Sequence, residues 1–294
     1  DLHYAPSIAA QGLRRGFSNV IGLIVRDIAD HYFGEIARGV TERAMQLGYL
    51  SFVCNTGRNR ENEMHYHELL WQHRVKGIIL AGGGIDTPEY QRILARQLHR
   101  CEQYGLRLVG LGPQGRRIPE VTVDYVRVAG IITGRLLEAG HRDIAFITGD
   151  RRVFTARDHI AGYQAILEAH GLRFDERLVL YGDFTEQEGY ERCRELLARG
   201  PRFTAICAGS DTIAMGVLHA LSESGRRVPD DVSVIGVGDI PPARYMAPPL
   251  TTLRIPRYEM GVRAVEIITG EAPPPQRPVV LATELVERRS VRQL

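Results

Sequence analysis

The feature that most constrains this chain is a rhythm: from Val20 to the C-terminus, short apolar runs alternate with longer segments whose apolar residues recur at helical spacing. The run over 20–25, VIGLIV, carries no charge and reads as a strand buried on both faces. After it, Phe33, Ile36, Ala37, Val40, Ala44 and Leu47 share one helical face, and Gly48 stops the helix. The spacing then predicts strands over 50–54, 77–81 and 107–111, fed by helices over 61–73 and 88–104. Strands this short and apolar, each separated from the next by a helix, belong in a parallel sheet covered on both sides.

A break rich in Gly, Pro and Arg over 112–120 is followed by the same rhythm again. Helices are predicted over 125–139, 159–170, 186–199 and 212–224, with strands over 144–147, 178–181, 205–208 and 232–237. The tail adds a strand over 250–254, a helix over 258–269 and a strand over 279–285, the last two separated by the stiff Pro273-Pro274-Pro275 segment. Two successive sets of this kind predict an α/β protein with two similar doubly wound lobes. A chain of 294 residues is long enough to bury a core in each.

The formal net charge is only +2, so any contact with nucleic acid must be local and cannot come from a broad basic surface. Cys54, Cys101, Cys193 and Cys207 lie far apart without metal-ligand spacing, and three of them sit in or beside apolar runs. They read as reduced core residues, which fits a cytoplasmic protein with no metal site. The sequence shows no signal peptide and no apolar run of bilayer length, so no membrane partner is expected.

Open α/β sheets bind ligands at the carboxyl ends of their strands. Here those ends carry Asp27, Asn55, Gly82-Gly83-Gly84 and Gly112 in the first set, and Asp150, Asp183-Phe184, Ser210-Asp211 and Gly238-Asp239 in the second. Asp and Ser at such places also cap the following helices, and for Asp211 capping is as good an account as binding. No catalytic pattern emerges. The glycine run lacks the G-x-G-x-x-G order, there is no G-x-S-x-G elbow or Walker A loop, and His65 and His67 diverge on their helix. The chain reads as a non-enzyme without a cofactor.

The N-terminal stretch stands apart from the rhythm. A basic helix is predicted over 7–15, with Ser7 placed to cap it, and Leu13 lies beside Arg14-Arg15. A pair of charges near a helix end is ordinarily solvated. A lone leucine on a short helix with nothing of its own to pack on instead fits a wedge between base pairs in a minor groove, with arginine on phosphate.

That stretch, Ser7-Ile8-Ala9-Ala10-Gln11-Gly12-Leu13-Arg14, followed by Ile21-Gly22-Leu23-Ile24-Val25 and Tyr32-Phe33-Gly34-Glu35-Ile36, resembles the hinge and first strand–helix unit of the bacterial lac-repressor and purine-repressor family. The resemblance runs on through Arg74-Val75-Lys76-Gly77, Gly140-His141-Arg142, Gly182-Asp183-Phe184, Val228-Pro229-Asp230-Asp231-Val232-Ser233, Pro248-Pro249-Leu250-Thr251-Thr252 and Glu287-Arg288-Arg289-Ser290. It implies a periplasmic-binding-protein-like core whose chain passes between lobes three times, near 139, 252 and 277. The resulting division is a hinge at 1–18, one lobe over 19–139 and 253–276, and another over 140–252 and 277–294. It also implies a ligand-responsive regulator: a homodimer that binds operator DNA through the hinge, with contacts from Ser7, Ala10, Leu13 and Arg14, and through a headpiece that precedes the hinge in relatives. A small-molecule effector would sit in the cleft between the lobes.

The resemblance assigns Asp27, Tyr32, Phe33, Thr155, His159, Phe184, Ser210 and Gly238 to the effector pocket, with Asp239 beside Gly238. His159 stands where many relatives carry arginine, Gly238 where many carry aspartate and Ile255 where glutamine is frequent. Loss of that aspartate, with Arg127, Arg157 and His159 near the pocket and Arg26 beside Asp27, leads to an expected small polar effector, a sugar or sugar acid, with the charge leaning to a sugar acid or another anionic polyol over a neutral sugar. The alternative that these arginines point to solvent or pair with Asp124 and Asp150 stays open. Two other functions also stay open: a solute receptor serving a transporter, and a doubly wound enzyme.

Overall fold

The computed structural model describes residues 18–294. The expected hinge helix over 7–15, with Ser7, Ala10, Leu13 and Arg14, lies outside the described residues. In chain order the elements are β1 (Val20–Val25), α1 (His31–Gln46), β2 (Leu50–Asn55), α2 (Arg60–Gln72), β3 (Gly77–Ala81), α3 (Pro88–Gln103), β4 (Arg107–Leu111) and β5 (Glu120–Thr122). Then come α4 (Tyr125–Glu138), β6 (Ile144–Thr148), α5 (Phe154–Ala169), β7 (Val179–Tyr181), α6 (Glu186–Arg199), β8 (Ala205–Ala208), α7 (Asp211–Glu223) and β9 (Ser233–Gly238). The chain closes with β10 (Thr251–Arg254), α8 (Arg257–Thr269), β11 (Val279–Val280) and β12 (Glu284–Val286).

These elements form two compact units. The first runs to Thr122 and resumes over Arg257–Val280. Its six strands are ordered β11-β5-β4-β3-β1-β2 and all pair in parallel. The second comprises Val123–Pro256 and Leu281–Leu294, with strand order β12-β10-β9-β8-β6-β7, in which only β12 is antiparallel to its neighbour. The chain passes from one unit to the other at Thr122–Val123, Pro256–Arg257 and Val280–Leu281. α4 lies against α5 and belongs wholly to the second unit. The strand expected over 279–285 divides into β11 and β12, one for each sheet.

Local chemistry explains the helix starts. Asp30, Asn59, Thr87, Asp124, Thr185 and Ser210 each accept a hydrogen bond from a backbone N–H in the first turn of the helix that follows. α5 begins at Phe154, five residues before the expected 159, behind Val153, which offers no side-chain cap. Helices pair where glycine removes a side chain. A Cβ at Gly39 in α1 would sit 2.2 Å from the Tyr258 carbonyl oxygen of α8, and one at Gly261 in α8 would sit 2.5 Å from that of Ile36. The same contact recurs at Gly162 between α4 and α5, and at Gly189 and Gly216 between α6 and α7.

One core residue goes against this economy. His67 on α2 is buried in the first unit, and neither ring nitrogen has a hydrogen-bond partner. Burial lowers its pKa from 6.5 to about 4, so the folded protein keeps it neutral. In the unfolded chain it takes up a proton below its ordinary value, so its cost to stability is absent above pH 6.5 and grows as pH falls toward 4. By calorimetry, the native state should lose roughly 2 kcal/mol between pH 7 and 5 from this residue. His67→Leu should flatten that slope and raise stability at pH 7 by about 1 kcal/mol, because an unpaired donor and acceptor leave the core.

Candidate functional site

In the second unit, β6, β8, β9 and β10 pair in parallel, so their carboxyl ends share one edge. β6 ends at Thr148, whose hydroxyl lies 3.2 Å from Nδ1 of His159 on α5. The His159 ring is buried, and its Nε2 has no partner. Three aromatic rings surround it, with centroids 5.5 Å away for Tyr125, 6.0 Å for Phe146 and 6.4 Å for Phe184. Phe184 follows β7 and lies so close over Gly149 that any side chain there would overlap the ring; Gly209 likewise leaves room for the Thr148–His159 pair. Burial lowers the His159 pKa from 6.5 to about 3, so the imidazole is neutral. It therefore brings no positive charge to this strand edge.

Ser210 and Asp211 divide the work at the end of β8. Ser210 is the cap, accepting from the Ile213 N–H at 3.1 Å. Asp211 is wholly buried and reaches across the sheet edge, accepting from the Ile240 N–H at 2.9 Å and the Thr252 hydroxyl at 2.5 Å. It thereby fixes the turn after β9, where Gly238 takes a φ of +137° and Asp239 one of +52°. Asp239 accepts from Arg254 at 2.8 Å and Arg288 at 2.6 Å. Burial alone would raise its pKa, but the two guanidinium groups outweigh it and hold the carboxyl below its ordinary value. Both partners lie far along the chain, which is why sequence reading offered Asp239 to a ligand and missed that arginines engage it.

Thr155 is buried in the first turn of α5, beside the His159 cluster in sequence. Arg127 and Arg157 are exposed; the Arg157 guanidinium lies 5.7 Å from the Phe154 ring, and Arg127 gives its backbone N–H to the Asp124 cap. Asp150 pairs with Arg152 through several hydrogen bonds, not with either of them. The expected local excess of positive charge is therefore smaller than the sequence implied: His159 is neutral and both arginines face outward.

In the first unit, Asp27 follows β1 and accepts from the Ala29 N–H at 3.0 Å. Tyr32 and the buried Phe33 open α1 with their rings edge to face, centroids 5.3 Å apart, and the Arg257 guanidinium lies 5.7 Å from the Tyr32 ring. The glycine run after β3 also has a role in the fold. Gly82 has a φ of +102°, the Arg26 side chain crosses it to donate to the Gly83 carbonyl, and the buried Gln114 donates to the Gly82 carbonyl at 2.7 Å. No signal in the sequence pointed to Gln114. Among the described residues no group of three or more His, Cys, Asp or Glu side chains is placed to hold a metal ion, and no helix is long and apolar enough to cross a membrane.

Comparison with known proteins agrees with this geometry. Residues 133–291 match the model of a periplasmic binding protein-like domain. The HTH-type transcriptional repressor PurR of Escherichia fergusonii is 32% identical over 296 residues, covering 99% of this chain and 85% of the relative. Among solved structures, the transcription regulator CcpA of Lactococcus lactis superposes with a TM-score of 0.83 at 29% identity, covering 93% of this chain and 99% of that one. A complex of the transcriptional regulator CelR with cellobiose gives 0.81 at 29% identity, over 99% of this chain and 92% of that one. These relatives are regulators, not enzymes. With two parallel-dominated α/β sheets and a repressor 32% identical across 99% of this chain, the chain belongs to the lac-repressor and purine-repressor family of ligand-responsive transcriptional regulators.

Proposed function

We propose that this regulator responds to a small polar effector, a sugar or sugar acid, bound at the carboxyl ends of the parallel strands. Asp27, Tyr32 and Phe33 serve it in the first unit; Thr155, His159, Phe184, Ser210 and Gly238 serve it in the second, with Arg127 and Arg157 toward the surface. Asp239 acts indirectly, by orienting Arg254 and Arg288. The observation that carries this reading is His159: a buried ring nitrogen without a partner, beneath an aromatic ring that can serve as a flat wall for a sugar. CelR, which holds cellobiose, supports a sugar-like ligand.

We also infer that the protein acts in the cytoplasm as a homodimer on two-fold operator DNA. β2 is the edge strand of the first sheet, yet Leu50 is 66% exposed, and Phe52, Val53 and Met45 are exposed with it. An apolar unpaired edge of this kind needs cover, and a second copy of the chain supplies it symmetrically.

Three measurements test these readings. In calorimetry against neutral hexoses, sugar acids and nucleobases, the wild type should bind a member of the sugar classes and Phe184→Ala should weaken it by about tenfold or more; equal binding by the variant would remove Phe184 from the site. In analytical ultracentrifugation at micromolar concentration the chain should sediment as a dimer, and Leu50→Glu with Phe52→Glu should shift it to monomer. With a headpiece joined to the chain, Leu13→Ala should weaken operator binding about tenfold and leave effector binding unchanged.

A further inference from the structure

The first unit holds a second polar cluster that the effector assignments leave out. Beneath the ends of β1 and β3 lies a cavity of about 20 Å³, lined by Arg26, Thr56, Glu63, Gly82, Tyr90 and Gln114 among others. That is the room of a single water oxygen or hydroxyl. Arg26 and Glu63 both border it, yet no ion pair within 4 Å joins them among the described residues, whereas Glu63 accepts from the Tyr90 hydroxyl at 2.8 Å. Burial raises the Glu63 pKa even against the Tyr90 hydrogen bond and the positive charges of Arg26 and Arg60, and among the described residues the Tyr90 hydroxyl is the one donor to its side chain. Arg26, held across Gly82 with one hydrogen bond to Gly83, has donors to spare. Arg26 and Gly82 are only half-buried, so the cavity reaches the strand-end surface.

The geometry points to a hydroxyl-binding subsite at Arg26 and Glu63 that selects a neutral polyol effector over the corresponding acid. A group seated there must accept from a guanidinium and donate to a carboxylate at once. A hydroxyl does both. A ligand carboxylate would meet Glu63 with like charge and no proton to give, and an ammonium would meet Arg26 in the same way. This inference deepens the effector reading above and rests on it: it chooses the neutral sugar of the two classes left there.

The test is calorimetry of the intact chain with glucose, ribose and cellobiose and with the matching acids gluconate, ribonate and cellobionate, on the wild type, Glu63→Gln and Arg26→Gln. Glutamine at 63 can still accept from Tyr90, so its melting temperature should match the wild type and isolate the charge. The wild type should prefer a neutral sugar to its acid by at least tenfold. Glu63→Gln should weaken the neutral sugar about tenfold and weaken the acid less, collapsing the preference. Arg26→Gln should weaken both. A purely structural Glu63 would not move the ratio. A wild type that prefers the acid overturns the hydroxyl assignment. Sugar binding that both variants leave unchanged overturns the subsite and leaves the effector reading standing; no binding of any of the six compounds overturns both.

Discussion

The close crossing of α1 and α8 at Gly39 and Gly261 is the contact on which the first unit depends. It joins a helix near the start of the chain to one more than two hundred residues later, and backbone meets backbone because neither glycine carries a side chain. Any larger residue at either position would have to push a carbonyl aside, and packed backbone cannot yield as a flexible side chain can. The second unit uses the same device within a shorter span, in α4 with α5 and in α6 with α7. Three helix pairs thus reach short interaxial distances through the same residue type, and the sheets they cover are held in parallel register between them.

The strand ends carry polar groups because the fold leaves room for them there, and the two sheets use that room differently. In the second unit a buried carboxylate, Asp211, holds the β9 turn and the start of β10 together, so the edge that presents Gly238 and Asp239 is fixed before any ligand arrives. In the first unit Gln114 ties the glycine run together by donating to the Gly82 and Gly112 carbonyls, while Arg26 donates to that of Gly83 and Glu120 accepts from the Gln114 N–H. A rigid edge is what recognition requires, since a ligand then loses little affinity to ordering the protein. The charge of Asp239 is compensated by Arg254 and Arg288, which keeps a carboxylate at this edge without leaving its charge uncompensated.

Much of this was legible in the sequence, and the misses have physical causes. Strands such as 77–81 and helices such as 186–199 were readable to the residue because their apolar pattern and caps agree. β5 was not, since it is three residues long and begins with a buried glutamate, Glu120, that accepts from the Gln114 N–H. The division of the tail strand into β11 and β12 was invisible because a two-residue strand has no periodicity. At the candidate site, residue types at strand ends could be named from the sequence, but their partners could not. Asp239 with Arg288, and Arg26 with Gly83, are separated by tens of residues, and only the fold brings them together. The charge of His159 was likewise unreadable, because burial and not residue type sets it.

The division of the tail between two sheets has a consequence for the order in which the protein can be completed on the ribosome. β1 to β5 are synthesised first, but α8, which covers one side of that sheet, and β11, which borders it, emerge only after nearly all of the second unit has been made. During that interval apolar surface meant for α8, including the face of α1 around Gly39, has no partner from its own chain. The nascent first unit therefore keeps that apolar surface exposed while residues 123–256 are made, whereas the second unit then lacks only β12 and the last residues.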